Sequence, residues 1–265
     1  MLMNIQLLKR EIPVANEHIQ GSLLSPAVTL PAIMFVHGWG GSQEQDLARA
    51  RELSGLGCVC LTIDLRGHDL NSQRSETVTR EENLQDLVVA YDWLACQPKV
   101  DPNAIAVIGI SYGGYLAAIL ASLRPVRWLA LRAPALYKDE GWHLPKRQLH
   151  ADITLKDYRL SRISATENRA LNACAAFRGD ALIVESEHDA LIPHAVIENY
   201  VAAFSNARSL TSRVIANADH ALSEKQMRKA YTQLLTRWLT EMIFGERENA
   251  VKHELARNVL TDEPD

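Results

Sequence analysis

Short, almost continuously apolar runs alternate along the chain with longer segments whose apolar residues recur about once per helical turn. Six such runs cover residues 32–36, 58–63, 104–110, 128–131, 181–184 and 213–215. Runs of this kind are typical of strands that helices cover on both faces. The alternation therefore predicts an α/β fold, with a mostly parallel sheet flanked by helices.

The segments between the runs have the periodicity of amphipathic helices. These predicted helices cover residues 44–56, 80–96, 194–204 and 224–244, and a further helix ends at residues 119–122. Thr79 and Glu82 have the spacing of a capping box at the start of the second helix. Two earlier apolar runs, residues 5–12 and 18–24, are close enough together to form an antiparallel hairpin at the edge of the sheet. The expected sheet therefore has about eight strands.

The composition predicts one soluble globular domain over residues 1–265. The chain is 47% hydrophobic and 23% charged, and a chain of this length buries a core without needing disulfides or a metal ion. Residues 134–178 lie between two predicted strands and are much longer than a usual connection, so they predict a small helical cap inserted into the domain. Residues 245–265 are a highly charged C-terminal tail, for which an extra helix, an oligomer contact and a frayed end all stay open.

The charge balance argues against two classes of partner. The formal net charge is −4, whereas nucleic acids and anionic membrane surfaces require a basic face. No apolar run approaches the roughly 20 residues that span a bilayer.

The cysteines and the N-terminus bear on localisation. The four cysteines form no C-x-x-C pair, and the N-terminus lacks the long apolar stretch and cleavage site of a signal peptide. We therefore expect a cytoplasmic protein with reduced thiols.

A glycine-rich turn supplies the candidate nucleophile. Residues 109–114 read Gly-Ile-Ser-Tyr-Gly-Gly and stand between a predicted strand and a predicted helix. In that setting G-x-S-x-G is typical of a nucleophile elbow, in which a tight turn exposes the serine hydroxyl above the sheet. Gly109 and Gly113 remove side chains that would collide as the strand and the helix approach each other. Ser111 is therefore the predicted nucleophile.

A serine nucleophile needs a general base and an acid that orients the base. His220 follows the last predicted strand, and the carboxyl ends of strands are where a parallel sheet places its site. Asp189 follows the strand before that one, and Glu185 and Glu187 are nearby rivals for the acid. The predicted triad is Ser111, Asp189 and His220.

A second glycine-rich loop, residues 37–42, follows the first strand of the parallel sheet and reads His-Gly-Trp-Gly-Gly-Ser. Its glycines let the backbone come close to a substrate. We expect an oxyanion hole made by the backbone N–H groups of Tyr112 and Trp39, with Gly40 as the alternative to Trp39. His37 is expected to be a structural loop residue.

Five segments together resemble the α/β-hydrolase superfamily. They read HGWGG, DLRGH, GISYGGY, HDALIP and ADHAL, in that order. The nearest branch is the prolyl-oligopeptidase-like and dienelactone-hydrolase-like group of serine esterases and peptidases. The elbow resembles the peptidases, whereas the HGWGGS loop and the short cap resemble small acyl esterases. The resemblance implies the α/β-hydrolase fold and assigns the triad and the oxyanion donors to the residues named above.

One segment departs from the family pattern. Asp69 stands where the usual turn of the family has a glycine. The segment that contains it is expected to be structural, although His68 could line the pocket.

The resulting hypothesis is a serine hydrolase of the carboxylesterase type that cleaves small acyl esters through an acyl-enzyme on Ser111. The alternatives are a peptidase or amidase that acts on short peptides or acylated amino acids, a thioesterase, and a binding protein that has lost fast turnover. No cofactor and no metal ion are expected, because His143, His150 and Asp152 lack the close spacing of a zinc site. A homo-oligomer stays possible.

Overall fold

Strands and helices alternate along the chain, as the sequence predicts. The structure is a computed structural model that describes residues 5–14, 17–26, 29–68 and 73–261. The strands are β1 (Ile5–Val14), β2 (Glu17–Pro26), β3 (Leu30–Val36), β4 (Val59–Ile63), β5 (Val100–Ile110), β6 (Trp128–Arg132), β7 (Asp180–Ser186) and β8 (Ser209–Ile215). The α-helices are α1 (Glu44–Gly55), α2 (Arg80–Ala95), α3 (Tyr112–Leu123), α4 (Leu155–Leu160), α5 (Arg169–Ala176), α6 (His194–Ala203) and α7 (Lys225–Thr261).

Six of the strands form one parallel sheet in the order β4-β3-β5-β6-β7-β8. Each neighbouring pair in this sheet is parallel, and the register places Val36 of β3 opposite Gly109 of β5, and Ile110 of β5 opposite Arg132 of β6. The predicted capping box at the start of α2 is also present, because Thr79 and Glu82 each bind the other's backbone N–H. The α/β-hydrolase fold class expected from the sequence is confirmed.

The expected number of strands in this sheet is wrong. Eight were predicted, but β1 and β2 pair with each other in an antiparallel two-stranded sheet of their own, from Ile5 opposite Pro26 to Val14 opposite Glu17. Two strands separated by two residues complete a ladder of hydrogen bonds with each other locally. The sequence pattern therefore predicted the hairpin but carried no information about which sheet contains it.

The chain divides into two compact units. One contains residues Leu30–Thr240, which include the six-stranded parallel sheet. The other contains residues Met1–Thr29, where the hairpin lies, and Glu241–Asp265, where α7 ends. Every residue of the candidate site belongs to the larger unit.

The core of the larger unit lies on both faces of its central strands. All of β6 and residues 31–36 of β3 are buried. Residues 112–120 of α3 are buried as well, and they are apolar on every side of the helix. A helix with no polar face is stable only when protein surrounds it. This burial explains why the sequence shows no amphipathic stripe there.

The C-terminal helix is longer than the sequence predicts. Predicted to end at Phe244, α7 continues to Thr261 through most of the charged tail. Ten of the seventeen residues from 245 to 261 are alanine, glutamate, lysine, arginine or leucine, and all five types favour helix. Of the three possibilities that the sequence left open for the tail, the described residues favour a helix, although it is an extension of α7 and not a separate element. Within the described ranges, no helix is both long and apolar enough to cross a bilayer.

The long connection between β6 and β7 combines a crossover helix with an insertion. Its final helix, α5, packs against α3 and serves as the crossover that two parallel neighbouring strands require. The Asn168 side chain caps α5 by accepting the N–H groups of Ala170 and Leu171, at 3.0 and 3.2 Å. The remaining residues, 134–168, are additional to the alternating pattern and are called the inserted segment below.

The inserted segment is fastened to the start of α2. The Arg80 guanidinium, which is fully buried, donates to the carbonyl oxygen of Lys138 at 2.6 Å and to that of Glu140. An isolated β-bridge joins Thr79 to Pro145. Next to this bridge, the Lys146 N–H donates to the Val78 carbonyl oxygen at 2.8 Å.

The strand order reverses between β3 and β5. From β3 the chain passes to β4 on one side, and it returns to β5 on the other side of β3. Such a switch point leaves a crevice at the carboxyl ends of the two strands, where α/β proteins bind their ligands. The two glycine-rich loops singled out from the sequence follow these two strands.

Candidate active site

Ser111 connects β5 to α3 in a strained conformation. Its φ is 52° and its ψ is −116°, a combination that non-glycine residues rarely adopt and that costs about 1–3 kcal/mol. The surrounding backbone holds it there. The Ser111 N–H donates to the Arg132 carbonyl oxygen at 2.9 Å, and the Ser111 carbonyl oxygen accepts the N–H groups of Tyr115 and Ala135. The turn therefore has the geometry of a nucleophile elbow, with a partly exposed serine at its tip.

Two glycines permit this close approach of strand and helix. A Cβ on Gly109 would lie 2.5 Å from the Gly113 carbonyl oxygen, and a Cβ on Gly113 would lie 2.3 Å from that of Val36. Both distances are well inside van der Waals contact, and both involve backbone atoms that cannot rotate away. The prediction that these glycines are needed for steric reasons is confirmed.

The close contact at Gly113 predicts the effect of a single added methyl group. We expect Gly113→Ala to lower the free energy of unfolding by about 1–3 kcal/mol, as overpacking does, because the methyl group would push α3 away from β3. Urea-induced unfolding measures the change. The control is Gly55→Ala at the exposed end of α1, where a Cβ would meet no atom within 4 Å. An equal loss in both variants would contradict the steric argument.

His220 lies in the loop between β8 and α7, with its imidazole beside the elbow. Its Nε2 is 3.0 Å from Ser111 Oγ, and its Nδ1 is 2.7 Å from Asp189 Oδ2. A carboxylate only accepts hydrogen bonds, so Nδ1 carries the proton and Nε2 is left to accept the hydroxyl proton of Ser111. Three side chains separated by up to 109 positions in the sequence are thus joined by two hydrogen bonds.

Asp189 is held as a carboxylate in the loop after β7. Its side chain is only 4% exposed, and its Oδ1 accepts the N–H groups of Leu191 and Ile192, each at 2.8 Å. Burial alone would raise the pKa of this carboxyl group, but the hydrogen bonds from His220 and from these backbone groups outweigh it and lower the pKa. Asp189 therefore stays ionised beside the imidazole.

The two rival acids make other contacts. Glu185 Oε1 lies 2.7 Å from His194 Nδ1 at the start of α6. Glu187 Oε2 accepts the Asn217 N–H at 2.6 Å and so supports the loop that carries His220. Of the three acids weighed from the sequence, the structure brings Asp189 to His220.

The two residues predicted to supply the oxyanion hole lie on either side of the nucleophile. Tyr112 is the first residue of α3, where unpaired N–H groups and the helix dipole favour negative charge. Trp39 lies in the loop after β3, whose backbone approaches the elbow closely enough that a Cβ on Gly38 would be 3.3 Å from Ser111 Cβ. The Trp39 and Tyr112 rings meet edge to face, with centroids 5.6 Å apart.

The two histidines near this loop are packed into the interior. His37 Nε2 accepts the Leu65 N–H at 3.2 Å, which fits the structural role expected for it. His68 is 3% exposed, and its ring lies edge to face with the rings of His37 and Trp39, at 4.9 and 4.7 Å. Burial lowers the pKa of His68. His68 thus packs against the Trp39 side chain. The neighbouring Asp69 lies outside the described residues.

Lys146 contacts the predicted oxyanion residues, and the sequence did not predict these contacts. It belongs to the inserted segment and is fully buried, with its Nζ 4.3 Å from the ring centroid of Trp39 and 5.0 Å from those of Tyr112 and Tyr137. An ammonium group over three aromatic faces is a cation–π arrangement, which joins the inserted segment to both predicted oxyanion residues. A lysine in a charged stretch of sequence reads as exposed, so no pattern signalled this contact.

Burial lowers the pKa of Lys146 to about 7, and the charges of Arg159 and Arg80 act in the same direction. The unfolded chain then binds more protons than the folded chain above pH 7, so stability should rise with pH until the ordinary lysine pKa is reached. From pH 7 to 9 we expect a gain of about 2 kcal/mol relative to the variant Lys146→Met. Urea-induced unfolding of both proteins at both pH values measures this difference. An equal change in the free energy of unfolding of the two proteins between pH 7 and 9 would contradict the prediction.

Three large aromatic or apolar residues of the inserted segment, Trp142, Leu144 and Tyr158, have separate surroundings. Leu144 lines a cavity of about 360 Å³ within the inserted segment. Trp142 packs under the guanidinium groups of Arg80 and Arg169, at 4.9 and 4.4 Å. The Tyr158 hydroxyl oxygen accepts a hydrogen bond from Asn168 Nδ2 at 3.0 Å. Trp142 is therefore a packing residue, whereas Leu144 faces this cavity and Tyr158 lines a second one of about 470 Å³.

Comparisons with known proteins give a family match over most of the chain and several similar proteins. Residues 45–245 match the prolyl oligopeptidase family. The uncharacterized protein Rv2307c of Mycobacterium tuberculosis is 28% identical over 214 residues, which are 80% of this chain and 70% of that protein. The sn-1-specific diacylglycerol lipase of Mus musculus is 37% identical over 106 residues, which are 39% of this chain and 32% of the lipase.

A solved structure shows the same fold. Dienelactone hydrolase from Anabaena variabilis has a TM-score of 0.58 and 20% identity, over 90% of this chain and 98% of that one. The family match spans well over half of the chain. The chain therefore belongs to the prolyl oligopeptidase family and is a hydrolase of the serine type.

Proposed function

We propose that this protein is a carboxylesterase that cleaves small acyl esters through an acyl-enzyme on Ser111, with His220 as general base and Asp189 as its orienting acid. The observation that carries the proposal is a pair of hydrogen bonds: His220 Nδ1 donates to Asp189 Oδ2 at 2.7 Å, and Ser111 Oγ donates to His220 Nε2 at 3.0 Å. The strained elbow supports it, because structural roles do not require a serine in that conformation.

In the proposed mechanism, His220 Nε2 takes the hydroxyl proton as Ser111 Oγ attacks the ester carbonyl carbon. The imidazolium that forms is stabilised by the Asp189 carboxylate. It then gives its proton to the leaving alcohol as the carbon–oxygen bond breaks and the acyl group stays on Ser111. A water molecule repeats the sequence, so the acid is released and the hydroxyl group is restored.

The negative oxygen of the tetrahedral intermediate needs hydrogen-bond donors. We assign this role to the backbone N–H groups of Trp39 and Tyr112, which belong to the two loops at the switch point. One such donor contributes about 2.7–4 kcal/mol to transition-state stabilisation. Lys146 contacts the rings of both residues and adds positive charge to the same region at pH values below its pKa of about 7.

Two relatives support an ester as the substrate. The diacylglycerol lipase and the dienelactone hydrolase are named for reactions that open ester bonds, the latter in a ring. The second candidate is a peptidase or amidase that acts on short peptides, and the name of the matching family favours it. Both reactions use the same triad, so the substrate must be settled by assay.

The test compares substrates of matched acyl group. Purified protein is assayed with a p-nitrophenyl ester, a thioester and a p-nitroanilide that carry the same short acyl or aminoacyl group, and a fluorophosphonate probe is applied separately. We expect turnover of the ester without measurable turnover of the matched anilide, because esterases and peptidases alike cleave an activated ester faster than an amide. The probe should map to Ser111 by peptide mass spectrometry. A preference for the amide or the thioester would replace the ester assignment.

Labelling without turnover has a different meaning. Slow acylation followed by stable retention of the acyl group would favour a binding protein that keeps the fold without fast hydrolysis. A probe that labels another residue, or none, would overturn the proposed mechanism itself.

A further inference from the structure

Arg132 contacts both the nucleophile and the base, although the mechanism above does not use it. It is the last residue of β6 and is only 5% exposed. Its carbonyl oxygen accepts the Ser111 N–H at 2.9 Å. Its Nη1 donates to the His220 carbonyl oxygen at 2.9 Å and to Ser186 Oγ at 3.3 Å. The main chain of Arg132 thus holds the elbow, and its side chain holds the loop that carries His220.

The guanidinium group is fixed in place by its surroundings. It lies over the ring of Tyr231 on α7 at 5.5 Å, and the Arg49 guanidinium lies over the same ring at 4.9 Å. Arg49 is in turn paired with Asp46 at 2.6 Å. Burial lowers the pKa of Arg132, but the nearby carboxylates of Asp189 and Asp46 favour its charged form. A buried charge this costly is retained only where neighbouring groups compensate it.

The loop that carries His220 depends on such external contacts. Asn217 and Leu222, on either side of the histidine, have positive φ values of 57° and 51°. The Ala218 carbonyl oxygen accepts the His188 N–H at 2.8 Å, and the Leu222 carbonyl oxygen accepts Arg228 Nη1 at 2.8 Å. At His220 itself, the bond to the main chain comes from Arg132.

We propose that Arg132 is a positioning residue that sets the separation of Ser111 Oγ and His220 Nε2. The proposal rests on the catalytic roles given to those two residues under the proposed function. Because the strand end fixes the serine and the side chain fixes the histidine loop, loss of the side chain frees one of the two partners only. Ser111 then keeps its position in the elbow, whereas the distance from its Oγ to His220 Nε2 increases.

The variants Arg132→Met and Arg132→Lys test the proposal. An error of about 1 Å in catalytic geometry costs about 100-fold in rate, so we expect Arg132→Met to lower kcat for the ester about 100-fold with KM changed less than about threefold. Arg132→Lys keeps the charge and one donor and should lose about tenfold. The rate of fluorophosphonate labelling should fall in the same order, because labelling also requires the base.

The matched control is Arg49→Met, which removes the other buried guanidinium on the same tyrosine ring but has no contact with His220. We expect it to lower the melting temperature as Arg132→Met does, with kcat measured on folded protein within about threefold of wild type. An equal loss of kcat in both methionine variants would reduce Arg132 to a structural residue and overturn the proposal. If Arg132→Met does not fold, wild-type kcat in Arg132→Lys would overturn it.

Failure of the proposed function would look different. In that case the wild-type protein itself would show neither ester turnover nor labelling of Ser111. The inference about Arg132 would then be judged on the distance between Ser111 Oγ and His220 Nε2 in a crystal structure of Arg132→Lys. An unchanged distance of 3.0 Å would refute it.

Discussion

Ser111→Ala is expected to lower kcat for an ester substrate by at least about 10⁴-fold, because the acyl-enzyme can no longer form. Activity that remains would come from the oxyanion hole and from binding alone. The fold should be retained, because the hydrogen bonds that hold the elbow involve only the backbone of this residue. Substrate binding should therefore persist while labelling by the fluorophosphonate probe disappears.

The control for this variant is Ser122→Ala near the end of α3. Ser122 is exposed, and its hydroxyl group donates to the Ile119 carbonyl oxygen of its own helix at 2.8 Å. Its replacement should leave turnover and labelling at wild-type levels. Wild-type turnover in Ser111→Ala would remove the basis for the mechanism, including the roles of His220 and Asp189.

Asp189→Asn is expected to lower kcat by about 10⁴-fold with little change in the fold. The amide is nearly isosteric, but its NH₂ group donates hydrogen bonds, so it can turn the imidazole proton from Nδ1 to Nε2. An imidazole protonated at Nε2 cannot accept the hydroxyl proton of Ser111. The amide carbonyl oxygen can still accept the N–H groups of Leu191 and Ile192, which preserves the loop.

The rival acids provide the comparison. Glu185→Gln and Glu187→Gln remove the charges that pair with His194 and bind the Asn217 N–H. Each should keep kcat within about threefold of wild type, since a glutamine oxygen can still accept these bonds and neither side chain touches His220. If kcat fell about 10⁴-fold in one of these variants and was unchanged in Asp189→Asn, the orienting acid would be that glutamate and not Asp189.

The sequence predicted the fold best where burial is complete. Strands β3, β6 and β7 are buried over nearly their whole length, so their apolar runs marked them within one or two residues. Strand β8 was predicted only over residues 213–215 but begins at Ser209. It is the last strand in the sheet order, and all of its residues except Ile215 are partly or fully exposed, so serine and threonine are tolerated there.

The candidate site divides in the same way. Ser111, Asp189 and His220 could be predicted because each follows a strand in a loop whose residue types suit its chemistry. Arg132 and Lys146 could not, since their importance depends on contacts between segments that are distant along the chain. Arg132 ends a buried strand with a charge, which is a signal, but only the structure shows that His220 accepts its hydrogen bond.

The attachment of the inserted segment restricts its movement relative to the start of α2 and to the loop that carries Trp39. If residues 138–146 swung outward, the two hydrogen bonds from Arg80 and the β-bridge to Thr79 would have to break. The side chain of Lys146 would also have to leave the three aromatic rings that its Nζ contacts. We expect a stretch so restrained to keep its position during turnover and not to open as a hinged lid. Selectivity would then depend on permanent shape, and turnover would not be limited by a slow opening motion.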